Sequence, residues 1–384
     1  MRSNFNIILK ISDSCPLACD YCYYFRNIVS EHKKRPLKIS IRTVQAICKR
    51  INEYSKSVDI SKVFFSLHGG EPLTVWKRYF CKICDELERN LTVPYKLLLQ
   101  SNGVLIDEEW INILKKYNVQ LGISIDGPEK YQNVHRKLKN GKGSFEIVNS
   151  NILKCISNGL KPGVLLVIDP YFNPEEIFKY VVDDLTIEGM DILIRDYTVD
   201  TIPSEQYVQD VSSCLSRWMD LWLNHNNPNL HIRLFDSMLR VLQGKGSCLE
   251  FGFRNNINSI PTVTIYTDGE ISPADELSSI SSDFMNIQKN VHQNSFEEVF
   301  KLKKFEKIRV ACTQVAEECK DCYLQNVCCG GAGLLERYSS KKGFRNRGVY
   351  CKVWKDLFTK LIEKLLLSGY SRDKLIKVLQ GIKL

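Results

Sequence analysis

Three cysteines near the N-terminus carry the clearest chemical signal in this sequence. Cys15, Cys19 and Cys22 read CPLACDYC, with three residues between the first pair and two between the second. Three thiolates on one loop hold three corners of a [4Fe–4S] cube, whereas a closed cluster needs four protein ligands. The spacing therefore predicts a cluster with one iron open to a ligand. A zinc site or a group of buried thiols is the alternative, although zinc more often uses paired CxxC segments.

A second group of cysteines lies in the C-terminal part of the chain. Cys319, Cys322 and Cys328 have ferredoxin-like spacing, and Cys351 can supply a fourth ligand. This set is complete and predicts a closed [4Fe–4S] cluster, with zinc again as the alternative.

The elements that must position the first cysteines alternate regularly over the first 225 or so residues. Apolar runs predict strands at Ile7–Ile11, Val63–Leu67, Tyr95–Gln100, Val119–Ile125, Val164–Ile168 and Asp191–Arg195. Amphipathic patterns predict helices near 40–54, 74–90, 107–117, 145–158, 174–186 and 205–224. Six strand–helix units in series indicate an α/β fold with a parallel sheet, here an incomplete (β/α)6 TIM-like barrel.

Beyond residue 235 this alternation gives way to glycines, turns and cysteines, and helical patterns return near 296–307 and 352–382. We therefore predict three segments: a barrel at 1–235, a cysteine-rich domain at 236–351 and a helical C-terminal tail at 352–384. Chemistry in such barrels collects at the C-terminal ends of the strands.

Polar motifs follow three of the predicted strands. HGGEP begins at His68, QSNG at Gln100 and SIDG at Ser124. Each alone could be an ordinary turn, but three strand ends at one barrel mouth favour a binding site. The candidate side chains and backbone groups are those of Gly69, Gly70, Glu71, Asn102, Ser124 and Asp126.

Composition narrows the class of protein. Fifteen cysteines in a chain with no secretory signal argue for metal binding rather than disulfides, and we expect a cytoplasmic protein without a membrane segment. The formal charge of +9 is spread over scattered Lys and Arg residues, so no nucleic-acid partner is expected. The CxxC at Cys81 and Cys84 falls on a helical apolar pattern. We interpret Cys84, with Cys48, Cys155 and Cys214, as buried, inert thiols.

Together these motifs resemble those of the radical S-adenosylmethionine (SAM) enzymes. CPLACDYC matches their CxxxCxxC loop, HGGEPL matches the segment that binds the methionine amino group, and QSNG and SIDGP match the next two strand ends. Arg136 aligns with the arginine that grips the methionine carboxylate. Gln132 and Asn133 replace the acidic and histidine residues expected just before it. The resemblance implies a partial radical SAM barrel that binds SAM at the open iron.

The C-terminal part resembles a SPASM domain, which usually holds two auxiliary [4Fe–4S] clusters. Cys319, Cys322, Cys328 and Cys351 match the ligands of the second. The first departs from the pattern, because Ala274 and Ala332 stand where cysteines are usual. The resemblance therefore implies two clusters in the chain and leaves a third open. The residues that such a third cluster would draw on are Cys248, Cys312, Cys329 and Asp275.

This departure, with the DG-x-x-x-P-x-D segment at 268–275 and GVYCKVWKDLF, resembles the peptide maturases that form three-residue cyclophanes. The chain also begins directly at the barrel, as in that group. The resemblance implies a 5′-deoxyadenosyl radical, generated at the Cys15/Cys19/Cys22 cluster, that removes a β-hydrogen from a ribosomally made precursor peptide. A carbon–carbon bond to an aromatic ring follows. A one-electron donor such as flavodoxin or ferredoxin is the other expected partner, and no catalytic side chain is assigned.

Other functions stay open at this point. A sulfatase-maturase-like enzyme that forms formylglycine is the main alternative, although such enzymes normally keep both auxiliary clusters. A thioether-forming maturase is another. The non-enzymatic alternatives are an iron–sulfur electron carrier and a zinc-stabilised binding protein, neither of which needs an open iron or the HGGEP and Arg136 groups.

Overall fold

The computed structural model describes residues 3–26, 35–254, 260–280, 284 and 287–383. Within these residues the strands are β1 (Ser3–Ser12), β2 (Ile60–Gly69), β3 (Tyr95–Ser101), β4 (Gln120–Ser124), β5 (Gly163–Val167), β6 (Gly189–Leu193), β7 (His231–Ile232), β8 (Val263–Ile265) and β9 (Ile271–Pro273).

The α-helices of the first part are α1 (Ile41–Tyr54), α2 (Lys77–Asn90), α3 (Glu108–Lys116), α4 (Glu129–His135), α5 (Phe145–Ser157), α6 (Pro174–Phe178), α7 (Glu205–His225) and α8 (Arg233–Leu242). Those that follow are α9 (Phe296–Phe300), α10 (Lys303–Thr313), α11 (Gln325–Cys328), α12 (Cys351–Leu367) and α13 (Arg372–Leu379). No helix among the described residues is long and apolar enough to cross a bilayer.

The chain packs into two compact units. The first comprises residues 1–164 and 258–306, and its strands are ordered β4-β3-β2-β1-β8-β9. The second comprises residues 165–257 and 307–384, and it contains β6, β7 and most of β5. Strand β8 pairs in parallel with β1, although it lies in the segment predicted as the second domain. The limits at 235 and 351 stay predictions, because these units reflect packing rather than continuous segments.

Alternating side chains explain why the first strands form. Phe5, Ile7, Leu9 and Ile11 of β1 are fully buried. Strand β2 pairs in parallel with β1, and β3 with β2 and then β4 with β3 in the same sense. The predicted parallel sheet is thus confirmed. Because all these strands point the same way, the segments after β1, β2, β3 and β4 emerge at one edge.

Most predicted elements agree with the structure to within two residues, and the exceptions have local causes. Helix α2 starts three residues later than predicted, since Pro72–Thr74 forms a separate 3-10 turn. The predicted tail helix at 352–382 is interrupted between α12 and α13, where Gly369 adopts φ of 83°. The predicted helix at 296–307 is likewise two helices, α9 and α10.

Candidate functional site

The three-cysteine loop follows β1 and is held beside the end of β2 by two glycines. Gly69 adopts φ of 148°, and a Cβ at this position would lie 2.0 Å from the Ser12 carbonyl oxygen. A Cβ on Gly70 would lie 2.5 Å from the Ser14 carbonyl oxygen. Backbone hydrogen bonds run from Gly70 N to Ser12 O at 2.9 Å and from Glu71 N to Ser14 O at 2.7 Å. The glycine pair is therefore required to bring HGGEP against the loop that starts with Cys15.

A second segment holds the other side of the loop. The Ala18 amide donates to the Lys137 carbonyl at 2.8 Å, and the Lys139 amide donates to the Pro16 carbonyl at 3.1 Å. These bonds join the cysteine loop to the chain that follows α4. The loop therefore has a fixed backbone on both sides.

The thiols of the loop are partly buried and close enough to influence one another. Burial raises the pKa of Cys15 to about 12, and nearby Glu71 and Cys19 act in the same direction. Burial also raises the pKa of Cys19, with Cys22 contributing. Asn102 Nδ2 lies 3.5 Å from Cys15 Sγ. Three thiols on one loop suit an iron–sulfur cluster, and metal binding would release their protons.

Glu71 connects the end of β2 to the end of β3. Its buried carboxylate accepts hydrogen bonds from Ser101 Oγ at 2.9 Å, Asn102 N at 2.7 Å and Leu73 N at 3.0 Å. Burial raises the pKa of Glu71 to about 7 in spite of these donors. Glu71 thus links the ends of two strands, and its contact with SAM stays a prediction.

Tyr21, within the cysteine loop, contacts two of the predicted SAM-binding residues. Its hydroxyl donates to the Asp126 carboxylate and accepts from Arg136 Nη1 at 3.0 Å. Sequence reasoning treated Tyr21 only as an aromatic flanking the cysteines. Its position shows that loop and strand ends form one hydrogen-bonded unit.

Arg136 is the group in this unit with spare donor capacity. Only 7% of it is exposed, and its Nε has no hydrogen-bond partner among the described residues. Burial alone would lower the pKa of Arg136, but the neighbouring Tyr21, Cys19 and Asp126 groups raise it above its ordinary value. A buried, charged guanidinium with an unsatisfied N–H fits a bound carboxylate such as that of methionine.

Gln132 supports this arrangement although it departs from the family pattern. It is fully buried, and its Oε1 accepts from the Asp126 amide at 2.8 Å. Its Nε2 donates to Ser144 Oγ at 3.1 Å, and Ser144 Oγ donates to the Arg136 carbonyl at 2.6 Å. Ser124 Oγ, on the adjacent strand end, accepts from Gln100 Nε2 at 2.9 Å. An uncharged amide therefore fixes the backbones of both Asp126 and Arg136.

A buried polar cluster in the first unit was not found by sequence reasoning. Lys10, near the C-terminal end of β1, donates to the Asp275 carboxylate, and its Nζ lies 3.1 Å from both Tyr23 Oη and His68 Nδ1. Tyr23 also donates to Asp275 at 2.6 Å. The available signal was a lysine within an apolar strand. Asp275 can be buried because its carboxylate accepts hydrogen bonds from Lys10 and Tyr23. The sequence had suggested this residue as a ligand of a third cluster.

The second cysteine set lines a pocket in the second unit. Cys319, Cys322, Cys328 and Cys351 all contribute to it. Arg347, Lys355 and Trp354 line the same pocket. Four thiols with two cations fit a closed, anionic iron–sulfur cluster. Burial raises the pKa of Cys328 and of Cys351, so both thiols would give up protons on metal binding.

The chain is closely packed at Ala332, one of the two positions where a ligand cysteine is usual. A Cβ on Gly252 would lie 2.0 Å from the Ala332 carbonyl oxygen, and the Phe253 amide donates to the Gly331 carbonyl at 2.7 Å. The expectation of two clusters, with a third left open, stays a prediction. Cys248 is exposed, whereas Cys329 is mostly enclosed and ends α11 with φ of 49°. Cys312 lies on α10.

The remaining cysteines behave as predicted. Cys48, Cys84, Cys155 and Cys214 are buried, and burial raises the pKa of each thiol. No three His, Cys, Asp or Glu side chains in the described part of the chain are arranged to hold a single metal ion. The assignment of the two cysteine sets as cluster ligands rests on the three-cysteine loop and on the pocket that the second set lines. It stays a prediction.

Comparison with known proteins agrees with these observations. Residues 9–181 match the Radical SAM superfamily. A cysteine-type anaerobic sulfatase-maturating enzyme of Clostridium perfringens is 27% identical over 402 residues, covering 98% of this chain and 98% of that enzyme. A serine-type anaerobic sulfatase-maturating enzyme of Bacteroides thetaiotaomicron is 32% identical over 175 residues, covering 44% of this chain and 40% of that enzyme.

A solved structure shows the same fold. Native anSMEcpe with bound AdoMet and Cp18Cys peptide matches with a TM-score of 0.77 at 22% identity, covering 99% of this chain and 100% of that chain. This likeness confirms the predicted α/β fold, and the superfamily match agrees with the resemblance drawn from the motifs.

Proposed function

We propose that this protein is a radical SAM enzyme that modifies a peptide, because residues 9–181 match the Radical SAM superfamily. The observation that carries the proposal is the hydrogen-bonded unit of Tyr21, Asp126 and Arg136. It joins the three-cysteine loop to a buried guanidinium whose Nε has no partner among the described residues. An electron carrier has no use for such a site beside its cluster.

The residues that would hold the cofactors follow from this geometry. Cys15, Cys19 and Cys22 would hold a [4Fe–4S] cluster, and Arg136 would bind the SAM carboxylate. When bound, the cluster and SAM supply a carbon radical that removes a hydrogen atom from an unactivated carbon. Aromatic side chains cover this loop, since Tyr24 and Tyr266 are buried and pack against Cys22 and Phe25. Such packing shields the Cys22 end of the loop from water.

We further propose that the reaction forms a three-residue cyclophane in a ribosomally made precursor peptide. The product has two hydrogens fewer than the substrate: one is removed as a hydrogen atom, and the other leaves as a proton and an electron. The proton would pass to water, because Asp275, whose pKa Lys10 and His68 lower to about 2 against the effect of burial, is too weak a base to hold it. Cys319, Cys322, Cys328 and Cys351 would hold a cluster that can take up one electron. Alanine replaces the usual cysteine ligand at positions 274 and 332, and this departure supports the cyclophane-forming function.

Formylglycine formation is the second candidate function. It is favoured by the 27% identity to a cysteine-type sulfatase-maturating enzyme along 98% of this chain. The structure of anSMEcpe with a bound peptide supports a peptide substrate for either function. The two candidates therefore differ in the product rather than in the kind of substrate.

Mass spectrometry after co-expression tests the two functions directly. The peptide partners are the one encoded by a neighbouring short reading frame and a sulfatase-derived peptide with a central cysteine. A cyclophane gives the loss of two hydrogens, a carbon–carbon link in fragmentation and no reaction with a hydrazide probe. Formylglycine gives an aldehyde that the probe labels. The matched control is the variant in which Cys15, Cys19 and Cys22 are replaced by alanine. If the parent protein left both peptides unchanged, as this variant should, the proposal would be contradicted.

A further inference from the structure

A buried carboxylate, Glu336, connects the two chain segments that line the pocket of the second cysteine set. The Ala332 amide donates to its Oε1 at 2.7 Å, and the Gly333 amide donates to the same oxygen at 3.3 Å. Trp354 Nε1 lies 2.8 Å from Oε2. Only 5% of Glu336 is exposed. The carboxylate is therefore held almost entirely by the protein.

Two glycines are needed to admit this side chain. A Cβ on Gly331 would lie 2.1 Å from Glu336 Oε1, and a Cβ on Gly348 would lie 2.5 Å from Oε2. Gly331 also adopts φ of 130°, which strongly favours glycine. Both glycines stand close to cysteines of the pocket in sequence, three residues after Cys328 and three before Cys351. The backbone near each cysteine is thus shaped around one carboxylate.

The same carboxylate fixes a wall of the pocket. Trp354, like Gly330 and Gly348, lines the pocket together with the four cysteines. The Val349 amide donates to the Glu336 carbonyl at 3.0 Å, and the Cys351 amide donates to the Gly348 carbonyl at 3.0 Å. Glu336 therefore links the turn after Cys328 to the segment that presents Cys351, although the two cysteines are far apart in the sequence.

We infer that Glu336 is a positioning residue for the cluster of Cys319, Cys322, Cys328 and Cys351, and that its negative charge makes this cluster harder to reduce. The three N–H groups stabilise the ionised carboxylate, and a buried anion beside an anionic cluster disfavours the added electron. Arg337 engages the other side of the turn, where it donates to the Ala311 carbonyl at 2.8 Å and to the Gln314 carbonyl at 3.0 Å. This role rests on the cluster assignment in the proposed function but not on the product formed.

The experiment uses the full-length chain with Cys15, Cys19 and Cys22 replaced by alanine, so that the cluster of the second set is measured alone. Iron and sulfide content, the rate of iron loss to a chelator and the midpoint potential in an EPR redox titration are the readouts. Burial raises the pKa of Glu336 to about 7, so measurements at about pH 8.5 keep the carboxylate ionised.

Glu336→Gln keeps the size of the side chain and removes the charge. We expect cluster content close to that of the parent and a potential raised by about 59 mV, which is a tenfold change for one electron. Glu336→Ala also removes the link between the segments, so we expect iron loss to the chelator about tenfold faster. Trp354→Phe should accelerate iron loss with a smaller shift in potential.

Glu317→Gln is the matched control, because Glu317 lies close to Cys319 in sequence but its side chain is 80% exposed. Solvent screens this charge, so its loss should leave the potential unchanged. A parent protein that holds no cluster overturns the cluster assignment and this role with it. A cluster whose potential and retention are the same in the Glu336 variants overturns the role of Glu336 alone.

Discussion

Lys10 and Asp275 form a buried ion pair between the C-terminal end of β1 and the segment that follows β9. The lysine side chain is 0% exposed and the carboxylate 10%. Burial alone would raise the pKa of Asp275, but Lys10 and His68 lower it to about 2. Burial and Lys10 lower the pKa of His68 to about 4, so its ring is neutral around pH 7. The pair therefore keeps a carboxylate ionised inside the first unit.

Lys10→Met should destabilise the protein strongly at neutral pH. Removal of one partner of a buried pair leaves the other charge unpaired, which costs about 3–5 kcal/mol. Urea denaturation of the metal-free, reduced protein at pH 7 measures this change. The double variant Lys10→Met/Asp275→Asn should recover part of the loss, because no charge is then left buried.

Lys77→Met is the matched control for this pair. Lys77 forms ion pairs with Asp107 and Glu109, whose side chains are 52% and 68% exposed. Exposed pairs contribute about 0–1 kcal/mol. Equal effects of Lys10→Met and Lys77→Met would contradict the assignment of Lys10 as the partner of a buried charge.

Glu71 should make the stability of the first unit fall with rising pH. Its pKa is raised from 4.5 to about 7, so between these values the folded state binds more protons than the unfolded state. The contribution of Glu71 is therefore fully present below about pH 4.5 and is lost as pH rises to about 7, a change of about 3 kcal/mol at most. Urea denaturation of Glu71→Gln at pH 5 and pH 7.5 should show a smaller pH dependence than the parent. Glu109→Gln, at an exposed position, should retain the parental dependence, and an unchanged slope in Glu71→Gln would refute the prediction.

Arg136→Gln should weaken SAM binding about ten- to a hundredfold, since a hydrogen bond to a charged group contributes about 1.5–3 kcal/mol. Equilibrium dialysis of SAM against anaerobically reconstituted protein gives the affinity, and iron content shows whether the cluster is intact. Lys139→Gln, an exposed change in the following segment, should bind SAM normally. If Arg136→Gln kept its full iron content and bound SAM as tightly as the parent protein, the guanidinium would not be a SAM-binding group.

Single cysteine variants should separate the roles of the two sets. The reconstituted parent should hold about two [4Fe–4S] clusters. Cys15→Ala should abolish reductive cleavage of SAM, whereas Cys328→Ala should retain much of it and impair peptide turnover. Liquid chromatography of 5′-deoxyadenosine measures the cleavage. Cys248→Ala should leave iron content and cleavage unchanged, and a parent with zinc alone would exclude the iron–sulfur interpretation.

Strands were the most predictable feature of this chain, because a buried parallel sheet needs apolar runs. Phe5, Ile7, Leu9 and Ile11 alternate visibly in β1, although β1 and β2 extend beyond the predicted limits, to Ser3–Ser12 and Ile60–Gly69. Helix α8 was missed because it lies where glycines and turns dominate the neighbouring sequence. Local patterns also could not show that β8 pairs with β1, since the two strands are about 250 residues apart.

The candidate site was predictable in its motifs but not in its connections. The spacing of Cys15, Cys19 and Cys22 is a local signal, whereas the partner of Tyr21 lies 105 residues away at Asp126. The glycine pair at 69–70 was expected to approach a ligand, and the structure shows that it approaches the backbone of Ser12 and Ser14. Pairing of this kind depends on the register of β1 and β2, which the sequence alone does not specify.

The double contact of Tyr21 links two equilibria, the ordering of the three-cysteine loop and the binding of SAM. Tyr21 belongs to the three-cysteine loop and also holds Asp126 and Arg136, where SAM is proposed to bind. If an ordered loop raises the affinity for SAM by some factor, SAM must favour the ordered loop by the same factor. The substrate of the radical reaction would then also protect the oxygen-sensitive cluster that activates it, and a cell depleted of SAM would lose active enzyme as well as turnover.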